Sequence, residues 1–216
     1  MYRLSGEDTG SRQGLSSTGH ISQLLLILLL LLLLSPLLVP KVAAALEFSV
    51  AAVPSLVTTE LGGSLYLGGY KAAVNLSWLR EARVGLVVDT AGGLGATLGP
   101  GYARALRRRS EQLAQLRVVQ LQLRDEVGQV LEEEVLRATA KEVLGALKGG
   151  EAVLVHCAQG RSRSTAVVVV VMCWGLRLGV EEALAKVRER RAMAQPNTGF
   201  MDQLLALERR GGLAEL

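Results

Sequence analysis

Hydrophobic and polar positions change rhythm several times along this chain, and each change marks an element. From Leu24 to Val39 the sequence is apolar except for Ser35 and Pro36. Sixteen helical residues reach about 24 Å, short of the roughly 30 Å hydrocarbon core of a bilayer. Extending the segment to Leu46 reaches the required length but takes in Pro40 and Lys41. From about Val53 the pattern becomes that of an ordinary domain. Ser64-Leu65-Tyr66-Leu67 reads as a short strand ended by Gly68-Gly69, and Lys71 to Arg83 as a helix. Val84 to Val88 forms a buried strand running into Asp89, and the glycine-rich stretch Ala91 to Gly101 reads as a loop. Arg117 to Leu123 alternates, with Val119, Leu121 and Leu123 on one face, which predicts a strand. Leu131 to Leu147 carries apolar residues at helical spacing and stops at Gly149-Gly150. Ala152 to Val155 is a short apolar strand, and Val180 to Arg191 and Gly199 to Arg209 are helical.

One stretch is ambiguous by pattern alone. Val167 to Val171 favours a strand by propensity, yet Ser164 to Leu176 is too long for a typical strand. We read it as a buried helix, because the chemistry of the segment before it needs a helix there. Strands alternating with helices predict an α/β domain with a central, mostly parallel sheet flanked by helices. No internal repeat is visible.

The N-terminal region stands apart. Residues 1–23 are rich in Ser, Gly, Thr and Gln, lack apolar periodicity, and read as disordered. Residues 24–46 admit three readings: a membrane anchor, a secretory signal cleaved near Ala43, Ala44 and Ala45, or a low-complexity extension with no role. Glu7 and Asp8 in the long preceding region argue against a secretory signal.

Composition narrows the partners. Half the residues are hydrophobic, a figure inflated by the leucine run, and aromatics make up only 4%, so the core rests on Leu, Val and Ala. A net charge of +4 suits an anionic substrate or an acidic surface. The arginines are scattered and no aromatic residues interleave with them for base stacking, so nucleic acid is not an expected partner. Arg107, Arg108 and Arg109 form the tightest basic cluster and read as a solvated helix face or loop. Two cysteines, Cys157 and Cys173, are too few for a disulfide framework and fit no zinc spacing. His20 and His156 are the only histidines, which makes a histidine-built metal cluster an unexpected feature.

The segment from Val153 to Thr165 carries the chemistry. It joins an apolar strand, Cys157, five residues, Arg163, Ser164 and an apolar helix. A phosphate dianion needs many donors at short range. A tight loop between a strand and a helix turns successive backbone N–H groups toward one point, and the helix N-terminus adds positive potential. The residues of this loop are Ala158, Gln159, Gly160, Arg161, Ser162 and Arg163. Gly160 permits the required turn, and Arg163 can grip two phosphate oxygens through its planar fork. The same field lowers a cysteine pKa from about 8.5, so Cys157 is expected to be a thiolate nucleophile at neutral pH.

His156-Cys157, five residues, Arg163 and Ser164 resemble the signature of the protein-tyrosine phosphatase superfamily. Further segments resemble one branch of it, the dual-specificity phosphatases. These are Leu65-Tyr66-Leu67-Gly68 with Ala72, Ala73 and Asn75, then Glu181-Glu182-Ala183-Leu184 with Val187, and Pro196-Asn197 with Gly199-Phe200 and Gln203-Leu204. The likeness runs from Pro54 to Glu208, within a catalytic domain expected over residues 54–210. It includes no MAP-kinase-docking domain, so the chain resembles an atypical, single-domain member.

The resemblance implies a phosphocysteine mechanism that needs no cofactor and no metal. It places a general acid on the loop after the strand that precedes the long helix. There Leu121-Gln122-Leu123-Arg124-Asp125 matches, and Asp125 lies 32 positions before Cys157. Glu126 is the second choice. Asp89, also after a strand, sits where the family has a structural Asn and is set aside. By the same resemblance Ser164 donates a hydrogen bond to the Cys157 sulfur, with a helix N-cap as its bland alternative. His156 holds the loop and tunes the thiol. Cys173 reads as a core residue.

Phosphoproteins carrying phosphotyrosine or phosphoserine/threonine are the substrates implied. A phospholipid phosphatase and a non-catalytic phosphate-binding module stay open as alternatives. Arg161 and the leucine run favour the lipid, whereas the presence of Cys157, Asp125 and Arg163 together disfavours the binding module. Phosphoprotein substrates and a reactive thiol argue for a cytoplasmic catalytic domain, membrane-anchored on the first reading of residues 24–46. Arg3 and Arg12 before that segment against Lys41 after it give a weak charge count that points the other way.

Overall fold

The computed structural model of the 216-residue chain describes residues 53–92 and 94–213. The expectations for residues 1–23 and 24–46 therefore fall outside the described residues. Among the described residues no helix is long and apolar enough to cross a membrane.

Among the described residues five strands form one sheet: β1 (Ser55–Thr58), β2 (Ser64–Gly68), β3 (Val84–Asp89), β4 (Arg117–Gln120) and β5 (Ala152–His156), in the spatial order β1-β2-β5-β3-β4. Strands β2, β5, β3 and β4 are parallel, and β1 pairs antiparallel with β2 at one edge. The α/β architecture with a mostly parallel sheet is thus as the pattern predicts. β5 is central and every one of its residues is buried, which explains its unbroken apolar run. At its C-terminal end the sheet delivers His156 beside Asp89 of β3 and Gly68 of β2.

The helices are α1 (Tyr70–Ala73), α2 (Leu76–Glu81), α3 (Leu94–Gln112), α4 (Glu133–Lys148), α5 (Arg163–Leu176), α6 (Val180–Arg190) and α7 (Thr198–Arg209). α5 is the hydrophobic axis, packed against β2, β5, α4, α6 and α7. Residues 164–174 along it are all buried. Its five consecutive valines each cost up to about 0.7 kcal/mol in helix propensity. Complete burial contributes roughly 1.5–3 kcal/mol apiece, so packing decides the conformation.

Four local expectations need correction. The helix expected over Lys71 to Arg83 is two short helices, because the Asn75 side chain accepts from the Trp78 N–H and starts a new one. The glycine-rich stretch 91–101 is not all loop. α3 begins within it and is broken at Gly99 (φ 75°, ψ −173°), after which Pro100 occupies a favourable helix-start position. β4 stops at Gln120 rather than Leu123 because β3 ends at Asp89: the Leu121 N–H makes the last rung to the Asp89 carbonyl (2.7 Å), and beyond it Gln122 meets Ala91 in an isolated antiparallel bridge. Arg109 is buried, unlike its exposed neighbours Arg107 and Arg108, and donates to the Ala73 carbonyl (3.1 Å). Strand β1, which the pattern did not mark, completes the edge.

Candidate active site

The strand–loop–helix unit β5–α5 builds the centre of the site. Cys157 follows β5 directly and is 1% exposed. Its Sγ accepts the Gly160 N–H (3.2 Å) and the Ser164 hydroxyl (3.2 Å). Burial opposes ionisation of this thiol, but hydrogen bonds from the Ser164 hydroxyl and amide and from the Arg161 and Gly160 amides outweigh it. The thiol is therefore held below its ordinary value. Burial pushes the other thiol, Cys173, up to about 12. Ser164 lies inside α5, and the helix N-cap is Ser162, whose side chain makes no capping bond.

Gly160 adopts φ 69°, a conformation that disfavours any side chain. A Cβ there would also press on the Gly68 carbonyl and stand 2.9 Å from an Arg191 nitrogen. With N–H groups of the loop turned toward the sulfur, its carbonyls face outward, and each needs a donor. Ala158 O accepts from the Tyr70 N–H (3.1 Å), and Arg161 O from the Gln195 N–H (2.7 Å) and the Thr165 hydroxyl (2.7 Å). Ser162 O takes the Ala166 N–H (2.9 Å). Gln159 O and Gly160 O both accept from one guanidinium, that of Arg191 (2.7 Å each).

Arg163, the first residue of α5, donates to the Leu123 carbonyl (3.3 Å), and its Nε has no hydrogen-bond partner among the described residues. The Nε lies 3.7 Å from Asp125 Oδ2. Asp125 thus comes to the mouth of the loop, in the segment between β4 and α4. Its Oδ1 accepts the Ser162 hydroxyl (2.5 Å) and the Asn197 side-chain amide (3.1 Å), while the Ser162 oxygen accepts the Asn197 N–H (3.1 Å). Gln203 of α7 fastens the same segment, donating to Gln129 O (2.9 Å) and accepting the Leu131 N–H (2.8 Å). Gly199 permits close approach here, since a Cβ would collide with the Val127 carbonyl. Glu126 points away into an exposed ion pair with Arg124 (3.7 Å). The Arg161 guanidinium turns outward to the Gln195 side chain (2.8 Å), leaving its amide toward the sulfur.

Behind the loop, His156 is fully buried. Its Nδ1–H donates to the Cys157 carbonyl (3.3 Å), and the Thr90 hydroxyl donates to the His156 carbonyl (2.9 Å). Burial holds the imidazole below its ordinary pKa despite Asp89, whose Oδ1 is 3.9 Å from Nε2. Asp89 is itself buried and accepts the Ala91 N–H (3.0 Å), so it stands in the wall of the site rather than at its mouth. No group of three or more His, Cys, Asp or Glu residues suited to a metal occurs among the described residues.

The structure therefore gathers Cys157, the loop residues 158–163, Ser164, His156 and Asp125 at one end of the sheet. Sequence reasoning missed Arg191 and the roles of Asn197 and Ser162 as hydrogen-bond partners of Asp125. Arg191 ends a charged run in a segment read only as a helix, and no spacing rule links it to the loop.

Comparison with known proteins follows the same geometry. Residues 65–210 match the family model described as the dual specificity phosphatase catalytic domain. Dual specificity protein phosphatase 1 of Arabidopsis thaliana is 28% identical over 207 residues, covering 95% of this chain and 94% of that protein. Dual specificity protein phosphatase 22-B of Danio rerio is 51% identical over a shorter stretch of 55 residues, covering 26% of this chain and 30% of that protein. A crystal structure of a human DUSP28 variant superposes with a TM-score of 0.62 at 26% identity, covering 75% of this chain and 98% of that one.

Proposed function

This chain belongs to the dual specificity phosphatase family, and from that premise we propose that it hydrolyses phosphotyrosine and phosphoserine/threonine in proteins through a phosphocysteine intermediate. The observation that carries the reading is the Cys157 sulfur, which accepts hydrogen bonds from Gly160 and Ser164 at the N-terminus of α5. In the first step the thiolate attacks phosphorus. An S–P bond forms, the P–O bond to the substrate breaks, and Asp125 gives its proton to the departing oxygen. In the second step Asp125 takes a proton from water, the water oxygen bonds to phosphorus, and the S–P bond breaks with Ser164 supporting the returning thiolate. Arg163 and the loop amides hold the equatorial oxygens, where transition-state charge is spread. His156 keeps the base of the loop in register through the Cys157 carbonyl. Both steps are accounted for by side chains and amides of this chain.

The test is turnover of a small aryl phosphate by the full chain and by Cys157→Ser, followed by trapping of phosphocysteine by acid quench. Wild-type turnover with a trapped phosphorylated Cys157, both absent in C157S, is expected. Turnover retained in C157S would overturn the mechanism. Phosphopeptides should be better substrates than phosphoinositide vesicles. The reverse order would move the substrate class to lipids, and phosphopeptide binding without turnover would make this a binding module.

A further inference from the structure

The catalytic loop has a fastening outside its own motif. Arg191 immediately follows α6, 34 residues beyond Cys157 (191 − 157). Its backbone N–H closes that helix on Val187 O (2.9 Å). Its Nε donates to Gly160 O and one terminal nitrogen to Gln159 O, both at 2.7 Å, while the other lies 3.5 Å from the Ser55 hydroxyl of β1. These are two consecutive carbonyls at the tightest point of the loop, where Gly160 takes its positive φ. A planar fork matches two adjacent acceptors in a way that an ammonium group does not.

We propose that Arg191 is a positioning residue of the phosphate loop: its guanidinium holds the Gln159 and Gly160 carbonyls outward, keeps the opposing amides aimed at the sulfur and the bound phosphate, and backs the anionic site with positive charge. This inference rests on the reading of Cys157 as a thiolate nucleophile. The geometry links the two carbonyls to the thiol directly. The peptide plane that presents Gln159 O to Arg191 has the Gly160 N–H on its other side, and that N–H donates to Cys157 Sγ. Fixing the carbonyl therefore fixes the donor. Charge acts in the same sense. Burial lowers the Arg191 pKa, and attraction to Cys157 raises it, so the guanidinium and the thiolate stabilise one another. The other ionisable groups facing the loop are Arg163 and Asp125 at the mouth, Tyr70 and Tyr102 in the apolar cluster that holds Cys157, and the buried His156, with Asp89 and Arg109 acting on it from behind.

The experiment is the pH dependence of Cys157 alkylation by iodoacetamide, followed by peptide mass spectrometry in the full chain. The proteins are the wild type, Arg191→Lys and Arg191→Ala, with vanadate inhibition measured in parallel. Wild type should show a thiol that reacts well below the pH of an ordinary cysteine. R191A should lose about tenfold in alkylation rate at acidic pH, the order expected for loss of one close opposite charge. It should lose vanadate affinity to a similar degree. R191K, which keeps the charge but not the fork, should recover only part of the alkylation rate and little of the vanadate affinity. A low-pH thiol in wild type with both variants unchanged would overturn the role of Arg191 and leave the nucleophile reading standing. An ordinary thiol in wild type would overturn both. If R191A fails to fold, the lysine variant decides alone: unchanged vanadate affinity in R191K refutes the positioning role.

Discussion

Ser162→Ala isolates the link between the Cys157 loop and Asp125, the proposed general acid. The Ser162 hydroxyl donates to Asp125 Oδ1 at 2.5 Å, and its oxygen accepts the Asn197 N–H at 3.1 Å. While Asp125 carries the proton that it delivers, the bond from Ser162 joins neutral groups and contributes a net of about 0.5–1.5 kcal/mol. The Asp125 side chain is 41% exposed, so water competes and the lower end applies. The Asn197 side chain keeps its own bond to Asp125 at 3.1 Å, so the acid is loosened rather than released. About 0.5–1 kcal/mol corresponds to roughly a two- to fivefold fall in the population with Asp125 in place. The assay is kcat across aryl phosphates of graded leaving-group pKa. p-Nitrophenyl phosphate, whose leaving oxygen needs little protonation, should lose least. Phenyl phosphate should lose about the full two- to fivefold. Vanadate affinity should hold, because the Ser162 amide remains. An equal loss on every substrate, or a fall in vanadate affinity of the same size as the fall in rate, would refute the latch and make Ser162 a structural part of the loop.

Two further outcomes follow from the same site. Gly160→Ala must place a side chain at φ 69° against the backbone of Gly68, so turnover should fall by about two orders of magnitude or more; near-wild-type activity would contradict the tight turn. His156 is held below its ordinary pKa by burial, so below about pH 6.5 the unfolded chain binds a proton that the native state resists. Its stabilisation is complete above that value and declines on acidification by at most about 1.4 kcal/mol per pH unit. Urea titrations at pH 7.5 and 5.5 should show this decline in wild type and a shallower one in His156→Gln, and identical declines would refute it.

The parts of the site legible in the sequence are those carried by contiguous residues. Cys157, the loop to Arg163, and Ser164 sit in one strand–loop–helix unit, so their order along the chain is already their geometry. Asp125 was reachable only because the family resemblance supplied a spacing, since an aspartate after a strand has no distinctive local pattern. Asn197 and Arg191 approach from around α6 and α7, and only the docking of those helices brings them to the loop. In the fold, β5 was readable from its apolar run, whereas α5 needed both its length and the chemistry of the loop before it to override the β-propensity of its valines. The Gly99-Pro100 pair misled because the same two residues that end a helix also start the next. β1 escaped notice because four residues with mixed polarity become a strand only when β2 is beside them.

The outward carbonyls of the catalytic loop are held by α1 through Tyr70, by the residue after α6 and by the chain leading into α7 through Gln195. None of these anchors belongs to the strand or helix that carries the motif. The motif's own helix holds only Arg161 O and Ser162 O, through Thr165 and Ala166, so opening of the loop at Gln159 and Gly160 is bound to the same cooperative event that undocks the C-terminal helices. Amide exchange at Gly160 should track that event rather than local fraying. A lesion far along the chain, in α6 or α7, would then silence the enzyme with its signature sequence intact.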